Sequence, residues 1–173
     1  MEKLLSSKIT AIALMVLALA AVGIFVFSIS QPLFYGAEYR TKGEFAGQTF
    51  EGVMKFYPDG TMVSVNSNIG VEMKSLYYYR DGYVFFATAI TEEAYRAEIE
   101  YINENFAQAV REPFYAARAD IFSVVSEGPS GDSSVYTCPT AHVVTWSSAS
   151  ATLVFSLLSL LSFVLLRKAR DEG

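Results

Sequence analysis

The one cysteine and the one histidine of this chain lie four residues apart, in Val135-Tyr136-Thr137-Cys138-Pro139-Thr140-Ala141-His142. A thiol and an imidazole at that spacing make an activated nucleophile when both sit on one helical face. Pro139 interrupts such a face, so spacing alone does not assemble the pair. A single cysteine also excludes an intramolecular disulfide framework and any Cys-cluster metal site. The next candidates are acids: Glu92, Glu93, Glu98, Glu100 and Glu104 fall close together. Hard cations draw their carboxylates from a loop or from several elements, and no Asp-x-Asp-x-Asp run is present. A solvated helix face is the expected use of these acids.

Thr137-Cys138 at the end of a strand resembles the nucleophile strand of sortase transpeptidases, which are membrane-anchored and extracytoplasmic. That resemblance implies a Cys138-based hydrolase or transpeptidase. It covers four residues, and the chain departs from the pattern beyond them. Those enzymes take their histidine from far upstream, whereas His142 follows Cys138. No P-loop, Rossmann fingerprint, His-Glu-x-x-His or nucleophile elbow occurs either. The expectation is a protein without catalytic, metal-binding or cofactor-binding residues, in which Cys138 is structural or pairs with a partner's cysteine.

Two other sets of residues suit binding. In Leu76-Tyr77-Tyr78-Tyr79, strand alternation puts Leu76 and Tyr78 on one face and Tyr77 and Tyr79 on the other. Tyr77, Tyr78 and Tyr79 are the candidate binding surface, against the plainer use of tyrosine in core and cross-strand packing. Farther on, Ser148, Thr152 and Ser156 recur at i, i+4 and i+8, with Ser159 and Ser162 near the same side. Small residues let helices approach, and hydroxyls bond across the contact. These three are the candidate membrane-helix contact, made either with the chain's own first apolar run or with another membrane protein.

Larger elements must position these residues, and two apolar runs define them. Ile9–Ile29 and Val143–Leu166 hold no ionisable group. At about 1.5 Å per residue they reach roughly 31 and 36 Å, enough for a hydrocarbon core of about 30 Å. The expected division is a cytoplasmic N-terminus (1–8), a first transmembrane helix (9–29), an extracytoplasmic domain (31–142), a second helix (143–166) and a cytoplasmic C-terminus (167–173). Lys3 and Lys8 precede the first run, and Arg167, Lys168 and Arg170 follow the second, which orients both termini inward. The first run is longer than the roughly 7–15 apolar residues of a cleaved signal peptide, which favours its retention. Residues 31–142 hold 15 of the 18 acids and 8 of the 13 Lys and Arg, a net charge of −7. Such a domain offers nucleic acid no electrostatic footprint and should be repelled by anionic headgroups.

Within that domain, short strands are expected at Glu38–Phe45, Thr49–Phe56, Thr61–Val65, Val71–Tyr79 and Tyr83–Ile90, over about residues 38–90. Turns separate them at Ala46-Gly47-Gln48, Tyr57-Pro58-Asp59-Gly60, Asn66-Ser67-Asn68-Ile69-Gly70 and Arg80-Asp81-Gly82. At Thr91 the period changes. Thr91 suits an N-cap, Glu92 and Glu93 suit the first turn, and Tyr95, Ile99, Ile102, Phe106 and Val110 make one apolar stripe. One helix is expected over about 91–111, ended by Pro113. Phe114–Val125 reads as either helix or strand, Glu127–Ser134 as a loop and Val135–Cys138 as a last strand.

The expected fold is an α+β membrane protein, with two transmembrane helices flanking an extracytoplasmic antiparallel β-meander of five or six strands covered by one amphipathic helix. The first expected function is a non-enzymatic accessory or interaction protein whose partners are the lipid bilayer and a membrane or envelope protein. The alternative is a binding module of lipocalin-like logic, holding a small apolar ligand or lipid next to the membrane.

Overall fold

A computed structural model describes residues 8–45, 48–88, 91–112, 116–127 and 133–171. The turn expected at 46–48, Pro113 and most of the 127–134 loop lie outside these residues. The chain divides into two compact units, residues 31–142 and a pair of terminal helices.

In the first unit eight strands follow one another: β1 (Tyr39–Phe45), β2 (Gln48–Phe56), β3 (Thr61–Asn66), β4 (Val71–Arg80), β5 (Tyr83–Phe86), β6 (Ala116–Ala119), β7 (Ser123–Glu127) and β8 (Ser133–Thr137). Each pairs antiparallel with the next, and Thr137 of β8 returns to Arg40 of β1, closing a barrel. Closure corrects the open meander. The segment that reads ambiguously supplies β6 and β7, and their Ala117, Ala119 and Val124 complete the enclosure of an inner face that one helix could not have covered. A closed sheet also leaves no edge to protect.

Two Asp-Gly turns that look alike in sequence differ in build. In Tyr57–Gly60 the Gly60 φ is +81° and its N–H reaches the Tyr57 carbonyl at 3.2 Å. Between β4 and β5 both Asp81 and Gly82 take positive φ (48° and 84°), as a two-residue hairpin turn requires.

The end of the barrel where β1 begins is filled by aromatics. Tyr39 meets Phe56 edge to face at 5.4 Å, and Phe56 meets Tyr77 at 5.1 Å. The Tyr39 hydroxyl accepts the Phe34 N–H (2.7 Å) and donates to the Ile121 carbonyl (3.2 Å). Tyr77 donates to the Tyr57 carbonyl at 2.8 Å. Toward the other end the inward-facing positions become small and half-buried, with Ser64, Ser75, Ser126 and Ser134. There the Phe50 ring lies across Gly43, where a Cβ would come within 2.6 Å of it.

The crossover from β5 to β6 carries α1 (Glu92–Glu104) and α2 (Phe106–Ala109). Thr91 caps α1 through its hydroxyl and the Ala94 N–H, at 3.3 Å. The single helix expected to residue 111 breaks at Asn105 (φ −118°, ψ 33°), whose side-chain amide turns back to the Tyr101 carbonyl. Its apolar stripe lies on the outside of the barrel: Ile102, Phe106 and Val110 pack on Phe85 and Ala116.

The second unit contains α3 (Lys8–Ser30) and α4, which runs from Pro139 in the barrel unit to Asp171. Both helices are long and apolar enough to cross a membrane.

Burial raises the ionisation of Tyr39 and Tyr77 well above the ordinary value of 10. The unfolded chain's tyrosines still ionise near 10, so above that pH the unfolded state loses more protons and stability falls. Tyr39→Phe is expected to cost about 1–3 kcal/mol at pH 7, because it strands the Phe34 N–H and the Ile121 carbonyl. The same substitution should flatten the decline in Tm between pH 9 and 11. Thermal unfolding followed by circular dichroism across that range checks both effects.

Candidate functional site

Phe85 is on the outer face of β5, yet only 2% exposed, because α1 and α2 lie over it. The Phe106 ring meets Tyr83 at 6.1 Å and Phe85 at 6.0 Å, both edge to face. The Arg80 guanidinium sits 4.7 Å over Phe106 and donates to the Asn103 side chain at 2.8 Å. Tyr78 donates to the same Asn103 oxygen at 3.1 Å. One end of the helical crossover is thereby clamped onto β4 and β5.

Beside this clamp a cleft of about 330 Å³ remains open between the crossover and β5. Its floor is Phe85, Phe86, Ile102 and Ala109, and Tyr101, Glu98 and Glu112 stand around it. Glu98 accepts the N–H of Thr88 at 3.2 Å and also its hydroxyl, which fixes one carboxylate at the rim. An apolar floor with two carboxylates suits a small apolar body carrying a cationic group. The −7 charge of the domain adds a field of the same sense.

The tyrosines singled out in the sequence do not form a surface platform. Tyr77 is buried and Tyr79 packs against the same interior cluster, while Tyr78 lies under the crossover. The alternation was legible; closure is what turns one of its faces into a core.

Pro139 does not interrupt the start of a helix but begins α4, where its missing N–H costs nothing. Cys138 is fully buried just ahead of it, and the Thr140 and Ala141 N–H groups point at its sulfur. Burial pushes this thiol up, and the two N–H groups only partly offset that. The His142 ring is occupied elsewhere, stacked on Phe122 at 4.5 Å. Among the described residues no group of three or more His, Cys, Asp or Glu is placed to hold a metal. Of the helical acids, Glu92 pairs with Arg96 at 2.6 Å on an exposed face.

Within the terminal pair, Ser148 is buried and Thr152 half-buried, whereas Ser156 is exposed. The Thr145 and Ser28 hydroxyls meet at 3.1 Å, both buried. The covered positions continue from there as Phe25, Ala21, Ala18, Leu14 and Ala11 on α3 and as Ser148, Thr152, Phe155, Ser159 and Ser162 on α4. All of these positions are buried or half-buried, at heptad spacing on both helices. The Ser28, Ser148 and Thr152 hydroxyls also return to carbonyls of their own helices at 2.8–2.9 Å.

Sequence reasoning missed the cleft. Glu98 and Ile102 share one side of a recognisable helix, but Phe85 as their floor depends on which strand faces outward beneath it. No protein-family model matches the chain, and no curated protein matches it.

A Ser28→Cys/Thr145→Cys chain should form an intrachain disulfide on mild oxidation in membranes, seen as a mobility shift on a non-reducing gel. Adding Ser148→Leu, which overfills a buried position, should cut the yield severalfold, whereas Ser156→Leu, at an exposed one, should leave it unchanged.

Proposed function

We propose that this chain is a membrane-anchored, non-enzymatic binding module that holds its barrel outside the cytoplasm. Its cleft takes up a small apolar cation beneath α1 and α2. The observation that carries the anchor is the outer surface of the terminal helices. Ile12, Val16, Leu19 and Phe27 on α3, and Trp146, Leu153, Leu157 and Leu160 on α4, are each more than half exposed. A soluble protein buries helices that are apolar all round, and here only the seam is covered. Lipid is the solvent such a surface suits. The basic residues at Lys8 and at Arg167, Lys168 and Arg170 favour both termini on the cytoplasmic side.

A second reading, presentation of the barrel to an envelope protein, is favoured by the β3–β4 hairpin. There Ile69, Val71 and Met73 are 68%, 47% and 61% exposed. That reading rests on these side chains rather than on Tyr77–Tyr79 or on Ser148, Thr152 and Ser156.

Orientation is testable with a membrane-impermeant maleimide. Native Cys138 should resist it until the protein is unfolded, whereas Ser67→Cys, in the exposed β3–β4 turn, should be labelled in intact spheroplasts. Labelling of Ser67→Cys only after permeabilisation would reverse the topology.

For the cleft, 2-phenylethylammonium is a fitting probe. Saturation-transfer NMR on the full chain in nanodiscs should detect binding, with neutral 2-phenylethanol weaker. Glu98→Gln/Glu112→Gln should weaken it roughly fivefold or more, and Ala109→Trp, which fills the floor, should abolish it. Equal binding by the native chain and Ala109→Trp would sink the assignment.

A further inference from the structure

The barrel unit has a second recess, of about 590 Å³, at the end where the chain enters β1 and leaves for α4. Phe34, Tyr35 and Ala37 give it apolar walls, and Thr140 at the start of α4 closes one side. Its charged groups are Arg40, Lys55 and Glu38. Lys55 lies 3.1 Å from one Glu38 oxygen, while Arg40 donates through Nε to the other at 2.9 Å and through its terminal amino group as well. Those contacts hold the Glu38 carboxyl below the usual carboxylate range. Two cations around one carboxylate leave a single positive excess in a domain whose net charge is −7. Each cation also keeps N–H donors that Glu38 does not use.

We propose that this recess binds the phosphate of a bilayer phospholipid, with Arg40 and Lys55 as its ligands and Phe34 and Tyr35 against the glycerol and first acyl carbons. The inference rests on the membrane reading above. Thr140 is three residues ahead of the apolar run that begins at Val143, about 5 Å along the helix at 1.5 Å per residue. Phe34 follows the end of α3 at Ser30 by four residues, at most roughly 14 Å of extended chain. Short stretches of chain thus join both sides of the recess to the apolar runs and keep it within reach of headgroups, where aromatic side chains and paired cations find an amphipathic ligand. The domain as a whole repels an anionic surface, so this local excess is what lets one lipid dock on it. Glu38 keeps the two cations apart and oriented, and a phosphate competes with it for their donors.

The test uses the full chain reconstituted with phosphatidylglycerol in phosphatidylcholine, extracted in mild detergent and weighed by native mass spectrometry. Resistance to alkaline carbonate extraction is measured on the same samples. The native chain should keep one phospholipid. Arg40→Gln/Lys55→Gln should lower the lipid-bound to lipid-free ratio roughly thirtyfold, about fivefold per cation. Glu38→Gln, which frees both cations, should raise it. Lys42→Gln/Lys74→Gln, which removes two cations elsewhere on the barrel, should leave it unchanged.

Equal retention by the native chain and Arg40→Gln/Lys55→Gln, both carbonate-resistant, would overturn the site while leaving the membrane reading intact. Release of the native chain by carbonate would overturn both. Displacement of the retained lipid by millimolar inorganic phosphate would assign the recess to a soluble anion instead.

Discussion

Closure of the sheet is the constraint from which the rest of the barrel unit follows. Once Thr137 pairs with Arg40, every second side chain on eight strands must fit a common interior. The edge-to-face row of Tyr39, Phe56 and Tyr77 fills one end, and glycine and serine leave room at the other. The Tyr39 hydroxyl then ties the segment entering the barrel, at Phe34, to the turn before β7, at Ile121. Since neither of those backbone groups belongs to a strand ladder, the fold would otherwise leave them without a partner.

Local physics made much of this legible in the sequence. Asp-Gly turns, the Thr91 cap, the helical stripe from Tyr95 to Val110 and the alternation at Leu76–Tyr79 all act over a few residues, and each is found where its chemistry puts it. Closure was not legible, because it hangs on one strand pair 97 residues apart in the chain. β6 is four residues long and rich in alanine, too short for periodicity to separate strand from helix. The break at Asn105 was hidden for a related reason: the apolar spacing runs through it unchanged, while the backbone leaves the helix to satisfy a side-chain amide. The cleft and the recess are legible only once the outward face of each strand is known.

Cys138 and His142, the one reactive-looking pair, are spent on starting a helix and on stacking against Phe122. What remains open on the barrel unit is an acid-rimmed cleft on its wall and a cation-bearing recess at its end. The two differ in sign.

The seam between the terminal helices has a mechanical meaning. Ser28 and Thr145 meet near one end of it, and covered positions follow at heptad spacing on both helices. Sliding one helix along the other by a heptad, about 10 Å, breaks the Ser28–Thr145 bond in either direction. Axial displacement therefore costs a buried hydroxyl–hydroxyl contact, whichever way it runs.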